Sequence, residues 1–457
     1  HRSKRHCFRT HEQRNLEMVY HRNTTIFNNR TTNPKICKMT QVILKQAKII
    51  DASSPFHNQV MDIKIENGTI TQIEKEIAAT SGFEVVNIPN LHVSKGWMDS
   101  SVSFGEPGYE DRETIENGLK VTAKSGFTAV ALQPNSNPTI DNQAQVRFVL
   151  DRAKNQATTL YPIGALTKGS EGTDLAELFD MKNAGAIAFG DYKKALQNAN
   201  LQKIALQYVQ DFDGMVIAFC QDSTLKGIGI ANEGEVSTKL GMKGIPALAE
   251  ELQVARNLFL LEYTGGKLHI PTISTQGSIK LIKEAKAKGL NVTCSVAVHN
   301  LVLNDEILMG FDSRYKVLPP LREEATRKAL VEAVLEGTID CITSDHNPLD
   351  IELKKLEFDL AKDGTIGLES AFGALLTILP LEVIINKLTA NKLVFNIDNP
   401  SIEIGNKADI SLFTTEENWV FGKENILSKS KNSAFLGQKM KGKAIGIYNN
   451  GQLIMNN

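Results

Sequence analysis

The sequence has little cysteine, almost no net charge and no long apolar run. Its 457 residues include five cysteines without any C-x-x-C spacing, namely Cys7, Cys37, Cys220, Cys294 and Cys341. Scattered thiols argue against a disulfide framework and favour a reduced, cytoplasmic protein. The formal net charge of -1 gives no reason to expect nucleic acid as a partner. No apolar run approaches the roughly 18–20 residues that span a bilayer, so we expect no membrane association.

The first 38 residues differ in composition from the rest of the chain. They carry nine Lys/Arg, two Glu and four of the nine histidines. The segment has neither apolar periodicity nor the apolar core of a secretory signal, so we expect a disordered basic extension, with a transit-like tail as the alternative. A start at Met39 would leave it out of the mature protein. The remainder is acidic, with 42 Lys/Arg against 50 Asp/Glu, a net charge of -8.

Two β-rich regions frame a long stretch of alternating strands and helices. Residues 39–92 and 393–457 alternate apolar and polar residues, with hairpin-type Asn-Gly pairs at Asn67 and Asn450. Between them, short apolar strands such as "FTAVALQP", "LHIPTIS" and "DCITSD" recur every 25–40 residues, separated by helical segments. About eight such units predict a (β/α)8 barrel over 93–392. The two flanking regions are expected to meet as one small β-sandwich domain.

The order of motifs resembles the dihydroorotases of the amidohydrolase superfamily, in their long class. The similarity runs from about Met39 to the C-terminus and includes "GWMDSSVSFGEPGYEDRETIENG", "LQPNSNPTID", "STQGSIKLIKEAKAKGLNVTCSVAVHNLVLNDE" and "PPLREEATRKALVEAVLEGTIDCITSDHNP". The resemblance implies the same fold class, a barrel of α/β type with a small β domain built from both chain ends. It also implies a pair of metal ions, usually zinc, that activate water against a cyclic amide.

Most of the metal ligands that the resemblance implies are missing. The family's first two histidines correspond to Ser101 and Ser103, and two further histidines correspond to Phe219 and Thr272. Two acids remain, namely Asp191 and the family's catalytic base, Asp345. Hydroxyl, phenyl and methyl groups do not replace imidazole as zinc ligands. We therefore expect no intact metal site and no cofactor, with zinc only if the family function is retained.

The substrate-binding residues implied by the resemblance have changed as well. The arginine that clamps the substrate carboxylate corresponds to Gly105, an asparagine to Leu318 and a histidine to Leu349. Only Asn135 is retained, and we expect it to be vestigial. Loss of a bidentate guanidinium contact alone removes a strong charge-assisted interaction.

The remaining polar residues near these motifs have plainer interpretations. His92, His269, His299 and His346 are expected to be structural, with His346 orienting Asp345. Lys193 and Lys194 are expected to lie on a solvated face. The alternative is a new metal site in which Asp99, Asp191, Asp345 and histidines of the barrel converge on one ion.

Two functions follow from this pattern. The first is a dihydroorotase-like protein of pyrimidine biosynthesis without the family's chemistry, structural or regulatory in role, with aspartate transcarbamoylase as the partner that the resemblance implies. The alternative is an active dihydroorotase, or another cyclic-amide hydrolase, with a remodelled metal site. A homo-oligomer is expected in either case.

Overall fold

A computed structural model describes residues 39–456, so the basic extension predicted for 1–38 lies outside the described residues. Within 39–456 no helix is both long enough and apolar enough to cross a membrane. The strands of this part of the chain, in chain order, are β1 Val42–Ile49, β2 Val60–Glu66, β3 Thr69–Glu74, β4 Glu84–Val86, β5 His92–Lys95, β6 Trp97–Val102, β7 Phe127–Leu132, β8 Thr159–Gly164, β9 Ala188–Phe189, β10 Val216–Ile217, β11 Ala231–Asn232, β12 Gly244–Ile245, β13 Leu268–Ile270, β14 Val292–Ala297, β15 Cys341–Thr343, β16 Ile410–Val420, β17 Lys439–Asn449 and β18 Gln452–Met455.

The α-helices of the described chain alternate with the central strands. They are α1 Ile115–Lys124, α2 Gln143–Arg152, α3 Leu178–Ala184, α4 Ala199–Tyr208, α5 Ser223–Lys226, α6 Glu235–Leu240, α7 Ala247–Thr264, α8 Gln276–Ala287, α9 Val298–Val302, α10 Glu324–Glu336, α11 Ile351–Lys354, α12 Leu368–Leu375 and α13 Leu381–Val394. Side-chain caps begin several of them; for example, the Thr114 hydroxyl accepts from the Asn117 amide at the start of α1.

Eight parallel strands form the barrel, in the order β6, β7, β8, β9, β10, β13, β14, β15. The ring closes between β15 and β6, where the Ser103 amide donates to the carbonyl of His346 at 2.8 Å. Strand interiors such as that of β7 are fully buried, as expected for parallel strands covered by helices. The carboxyl ends of all eight strands therefore meet at one mouth, where the site residues lie.

Strands from both chain ends build the second sheet. Its order is β18, β17, β16, β5, β1, β2, β3, with β4 also paired to β1. Asn67 and Asn450 each precede glycine at a hairpin turn with positive φ, as their sequence predicted. Trp97 packs on Phe372 and Phe413 with ring centroids 4.9 and 5.4 Å away, which joins β6 to α12 and to β16 of the second sheet. The predicted fold class is confirmed.

Candidate functional site

Asp99 on β6 closes the barrel. Its carboxylate accepts from the Ser344 amide at 2.9 Å, from the Ser101 amide at 3.0 Å and from the hydroxyl of Thr343. Burial raises the pKa of Asp99, and the hydrogen bonds from Ser344 and Thr343 oppose that rise. Its partners lie on β6, on β15 and at the residue directly after β15, so Asp99 joins the two strands between which the ring closes.

Asp345 is paired with a lysine. Lys193 Nζ lies 2.6 Å from Asp345 Oδ2, and the Ser101 hydroxyl donates to Oδ1 over 3.4 Å. The carboxylate is 1% exposed and the lysine side chain 12% exposed. Burial raises the pKa of Asp345, while the Lys193 ammonium opposes the rise. The prediction that Lys193 lies on a solvated face is therefore wrong: it extends from the loop after β9 to the end of β15. Lys194 is exposed, as predicted.

Asp191 has a different set of partners. The Thr167 amide donates to Oδ1 at 3.0 Å and its hydroxyl to Oδ2 at 2.6 Å, which ties the loop after β9 to the loop after β8. Burial raises the pKa of Asp191, and the hydrogen bonds from Thr167 oppose that rise. The two retained acids thus occupy one mouth but bind separate groups.

Ser101 and Ser103 lie at the carboxyl end of β6, and each accepts a hydrogen bond from an amide side chain. Ser103 Oγ accepts from Asn135 Nδ2 at 2.9 Å, and Ser101 Oγ accepts from Gln133 Nε2 at 3.2 Å. The retained Asn135 is therefore close to a lost ligand position. Gln133 and Asn135 both follow β7, Gln133 two residues earlier. The sequence analysis did not identify Gln133.

Two lost positions have become one apolar cluster. Phe219, where the family resemblance implies a metal-binding histidine, packs with Leu318, where it implies a substrate-binding asparagine. Ile245 and Ala249 complete this cluster, and both Phe219 and Leu318 are buried. An apolar cluster here supplies no ligand and no hydrogen bond to a substrate.

Gly105, where the family resemblance implies a substrate-clamping arginine, has no room for a side chain because its own loop packs against it. The Gly105 amide donates to the Glu113 carbonyl at 2.8 Å, and the Tyr109 amide donates to the Gly105 carbonyl at 2.7 Å. A Cβ atom at Gly105 would lie 1.8 Å from the Tyr109 carbonyl oxygen. No side chain fits at this position unless the backbone of the loop moves.

The histidines of the barrel do not converge. His269 contacts Thr293 Oγ1 and Ser295 Oγ at 2.8 and 3.3 Å, and the Thr272 amide donates to the same Ser295 hydroxyl at 3.1 Å. His346 Nδ1 accepts from the Gly367 amide at 3.2 Å. The ring of His346 therefore holds the start of α12, and its predicted role of orienting Asp345 is wrong.

Burial keeps these imidazoles neutral. It lowers the pKa of His269 and of His346 to about 4 and that of His299 to about 3. Neither ring nitrogen of His299 has a hydrogen-bond partner among the described residues. His92 lies outside the barrel mouth, where its Nδ1 contacts the Asn90 carbonyl at 2.9 Å.

Solved structures of similar shape define the class of fold. L-hydantoinase from Arthrobacter aurescens superposes with a TM-score of 0.80, at 18% identity, over 91% of this chain and 96% of its own. A dihydropyrimidinase from Brevibacillus agri gives a TM-score of 0.76 at 19% identity, over 92% and 95%. The fold is thus the amidohydrolase type of barrel with its accompanying β domain.

Sequence relatives narrow that class to a family. Residues 92–278 match the family described as Dihydro-orotase-like. A dihydroorotase of Geobacter metallireducens is 38% identical over 410 residues, covering 88% of this chain and 96% of the relative. One of Pelotomaculum thermopropionicum is 41% identical over 402 residues, covering 86% and 94%. The chain belongs to the dihydroorotase family.

The residues at the mouth do not fit the zinc pair typical of that family. Among residues 39–456 no three His, Cys, Asp or Glu side chains are grouped so as to hold a metal ion. The Asp345 carboxylate is bound by an ammonium and that of Asp191 by Thr167, and the four imidazole positions hold two serines, a phenylalanine and a threonine. A cation that already sits on the retained base would repel an incoming metal ion.

Proposed function

We propose that this member of the dihydroorotase family serves pyrimidine biosynthesis as a structural or regulatory protein and does not open the dihydroorotate ring. The observation that carries the proposal is the ion pair between Lys193 and Asp345. A carboxylate held 2.6 Å from an ammonium, with both groups largely buried, is already neutralised. It is a poor general base and a poor ligand, because either role requires its charge to be available.

The changes around that ion pair support the same proposal. Phe219 and Leu318 fill the mouth with apolar surface, and Gly105 cannot carry a side chain where the family places its arginine. The Lys193 ammonium is already paired with Asp345, so a substrate carboxylate would have to compete for it or lose its water without a cationic partner, which is costly. The eight-stranded barrel itself is fully formed, so the changes at the mouth leave the fold in place.

The proposed partner is aspartate transcarbamoylase. Its support is the resemblance to the long class of the family, some of whose inactive members scaffold that enzyme, together with the intact loops around the mouth. The loop that carries Gly105 is fastened at its far end, where Arg112 Nε donates to Asp350 Oδ2 at 3.1 Å and its guanidinium lies 4.0 Å from the Tyr109 ring centre. A fastened loop presents a defined surface to another protein.

Metal content tests the first half of the proposal. We expect elemental analysis of the purified full chain, after dialysis against zinc, to find much less than one tightly held ion per chain. A dihydroorotase with all its histidines, treated in parallel, serves as the loaded control. One or more tightly held ions per chain would favour the remodelled metal site and would contradict the proposal.

Complex formation tests the second half. The full chain and the aspartate transcarbamoylase of the same source are mixed and run on a sizing column with light scattering. We expect a complex that contains both chains, and an increase in transcarbamoylase activity or stability on mixing. Separate elution at micromolar concentrations, with no change in that activity, would contradict the proposed partner and leave the proposal on catalysis intact.

A further inference from the structure

Four lysines surround a cavity of about 220 Å³ beside the barrel mouth. The cavity lies between the segment that follows β10, the end of β12, the loop after β14 and the loop after β15. Three of the lysines belong to its lining, namely Lys226, Lys316 and Lys362. The fourth, Lys354, lies directly behind the lining, because its Nζ donates to the carbonyls of Lys316 and Lys362 at 2.8 and 2.9 Å.

Two of these ammonium groups are buried without a carboxylate partner. Lys316 and Lys354 are each 5% exposed, and no ion pair within residues 39–456 includes either of them. Lys316 Nζ donates to the carbonyls of Phe358 and Asp359 at 2.7 and 3.0 Å. Burial lowers the pKa of Lys354 to about 7. A carbonyl satisfies an N–H donor but carries no net charge, so both cations lack a counter-ion in direct contact.

The neighbouring charges leave the cavity cationic. Burial lowers the pKa of Lys316, and the nearby carboxylates of Asp363 and Asp359 oppose that fall. The positive charges of Lys226 and Lys362 lower it further, so like charges act on one another around the cavity. Four lysines against the two aspartates of the lining leave an excess of two positive charges when all six groups are ionised. An anion inside the cavity would relieve this repulsion and supply the missing negative charge.

We propose that this cavity binds the phosphate group of a small molecule, either free phosphate or a small phosphate monoester. A phosphate monoester carries a charge of about −1.5 to −2 at pH 7, which matches the excess on the lysines. Ammonium groups bind phosphate as point charges, whereas a planar carboxylate is best bound by a guanidinium fork. No arginine of the described chain is in the lining.

The size and the remaining walls of the cavity limit the rest of the ligand. At about 30 Å³ for each water molecule, the cavity holds about seven water-sized groups, enough for a phosphate and a short carbon chain. It is smaller than the roughly 300 Å³ of pockets that enclose drug-sized ligands, so a whole nucleotide does not fit inside it. Ile245 and Leu318 line one part of it with apolar surface, which favours a monoester over the free ion. The lining includes neither Lys193 nor Asp345, so the site does not depend on the proposed loss of catalysis.

Calorimetric titration of the full chain at constant ionic strength tests the ligand chemistry. The probes are inorganic phosphate, propyl phosphate and propionate. We expect both phosphates to bind with dissociation constants below about 1 mM, propyl phosphate more tightly, and propionate at least about tenfold more weakly than propyl phosphate. Tighter binding of inorganic phosphate would assign the site to the free ion. No saturable binding of either phosphate, or propionate bound as tightly as propyl phosphate, would overturn the proposal.

Variants of the lining locate the binding. Lys226→Gln and Lys362→Gln each remove one charge from a side chain that reaches solvent, so both proteins should fold and melt like the unchanged chain. Each should raise the dissociation constant of propyl phosphate at least about fivefold, and the double variant at least about 20-fold. Lys355→Gln, exposed on the same loop but outside the lining, is the control and should bind like the unchanged chain. Unchanged binding in the double variant, or an equal loss in the control, would refute this location.

Discussion

Replacing Lys193 by methionine tests the ion pair with Asp345, on which the proposal of an inactive site rests. The change keeps most of the side-chain volume and removes the ammonium that lies 2.6 Å from Asp345. Breaking a buried pair by removing one partner costs about 3–5 kcal/mol, because the other charge stays buried and unpaired. In a body of this size, whose unfolding entropy is about 0.9 kcal/mol/K, that corresponds to a fall of about 3–6 °C in melting temperature.

The pH dependence of that loss follows from the remaining carboxyl. Burial already raises the pKa of Asp345 in the folded protein, and Lys193 opposes the rise. Without Lys193 the folded pKa rises further, so the folded state binds a proton that the unfolded chain has released. Stability then falls as the pH rises from the unfolded pKa through the folded pKa. We expect the deficit of Lys193→Met to be larger at pH 8 than at pH 5.5.

Thermal melts at one scan rate measure both effects. Lys194→Met, the exposed neighbour, is the control and should change the melting temperature by less than about 1 °C. Adding Asp345→Asn to Lys193→Met removes the stranded charge and should recover most of the loss at pH 8. The reasoning fails if Lys193→Met melts like the unchanged protein, or if its deficit is the same at both pH values and in the double variant.

Three further outcomes are expected. Removing residues 1–38 should lower the melting temperature by less than about 4 °C, because the segment has no apolar face to bury; a larger fall would show that it packs on the body. In denaturant unfolding, Gly105→Ala should destabilise the protein nearly as much as Gly105→Arg, because a Cβ at Gly105 would lie 1.8 Å from the Tyr109 carbonyl oxygen. Gly310→Ala is the control and should not destabilise the protein, because a Cβ there would have no other atom within 4 Å. Ser101→His with Ser103→His should show no dihydroorotate ring opening with added zinc, because Lys193 still binds Asp345 and Phe219 and Thr272 supply no imidazole; turnover by this variant would show that two ligands suffice.

The sequence predicted the architecture well because the relevant signals are local. Alternation along β2 and β3, the Asn-Gly turn between them and the short apolar strands of the barrel each require only a few consecutive residues. The positions where the family resemblance implies metal ligands could also be located, since each lies at or just after the end of a strand within a motif. Strands, turns and strand ends can be predicted in this way because each depends on the pattern of a few consecutive residues.

The contents of the mouth were less predictable because they depend on contacts across the barrel. Lys193 and Asp345 are 152 residues apart, and nothing local indicates that this lysine, rather than Lys194, turns inward. The contact between Phe219 and Leu318 likewise joins two distant loops. The closure around Gly105 depends on the path of the backbone to Tyr109 and Glu113, which composition does not encode. Side-chain direction at strand ends is set by these tertiary contacts.

Ring opening of dihydroorotate by the unmodified full chain tests the central claim most directly. The protein is assayed with and without added zinc, beside a dihydroorotase that retains all its histidines. The account predicts no turnover above the protein-free rate in either condition, because Asp345 is held by Lys193 and none of the four positions where the family resemblance implies a ligand histidine carries an imidazole. Turnover that follows the protein through purification, and that disappears on chelation and returns with zinc, would contradict it.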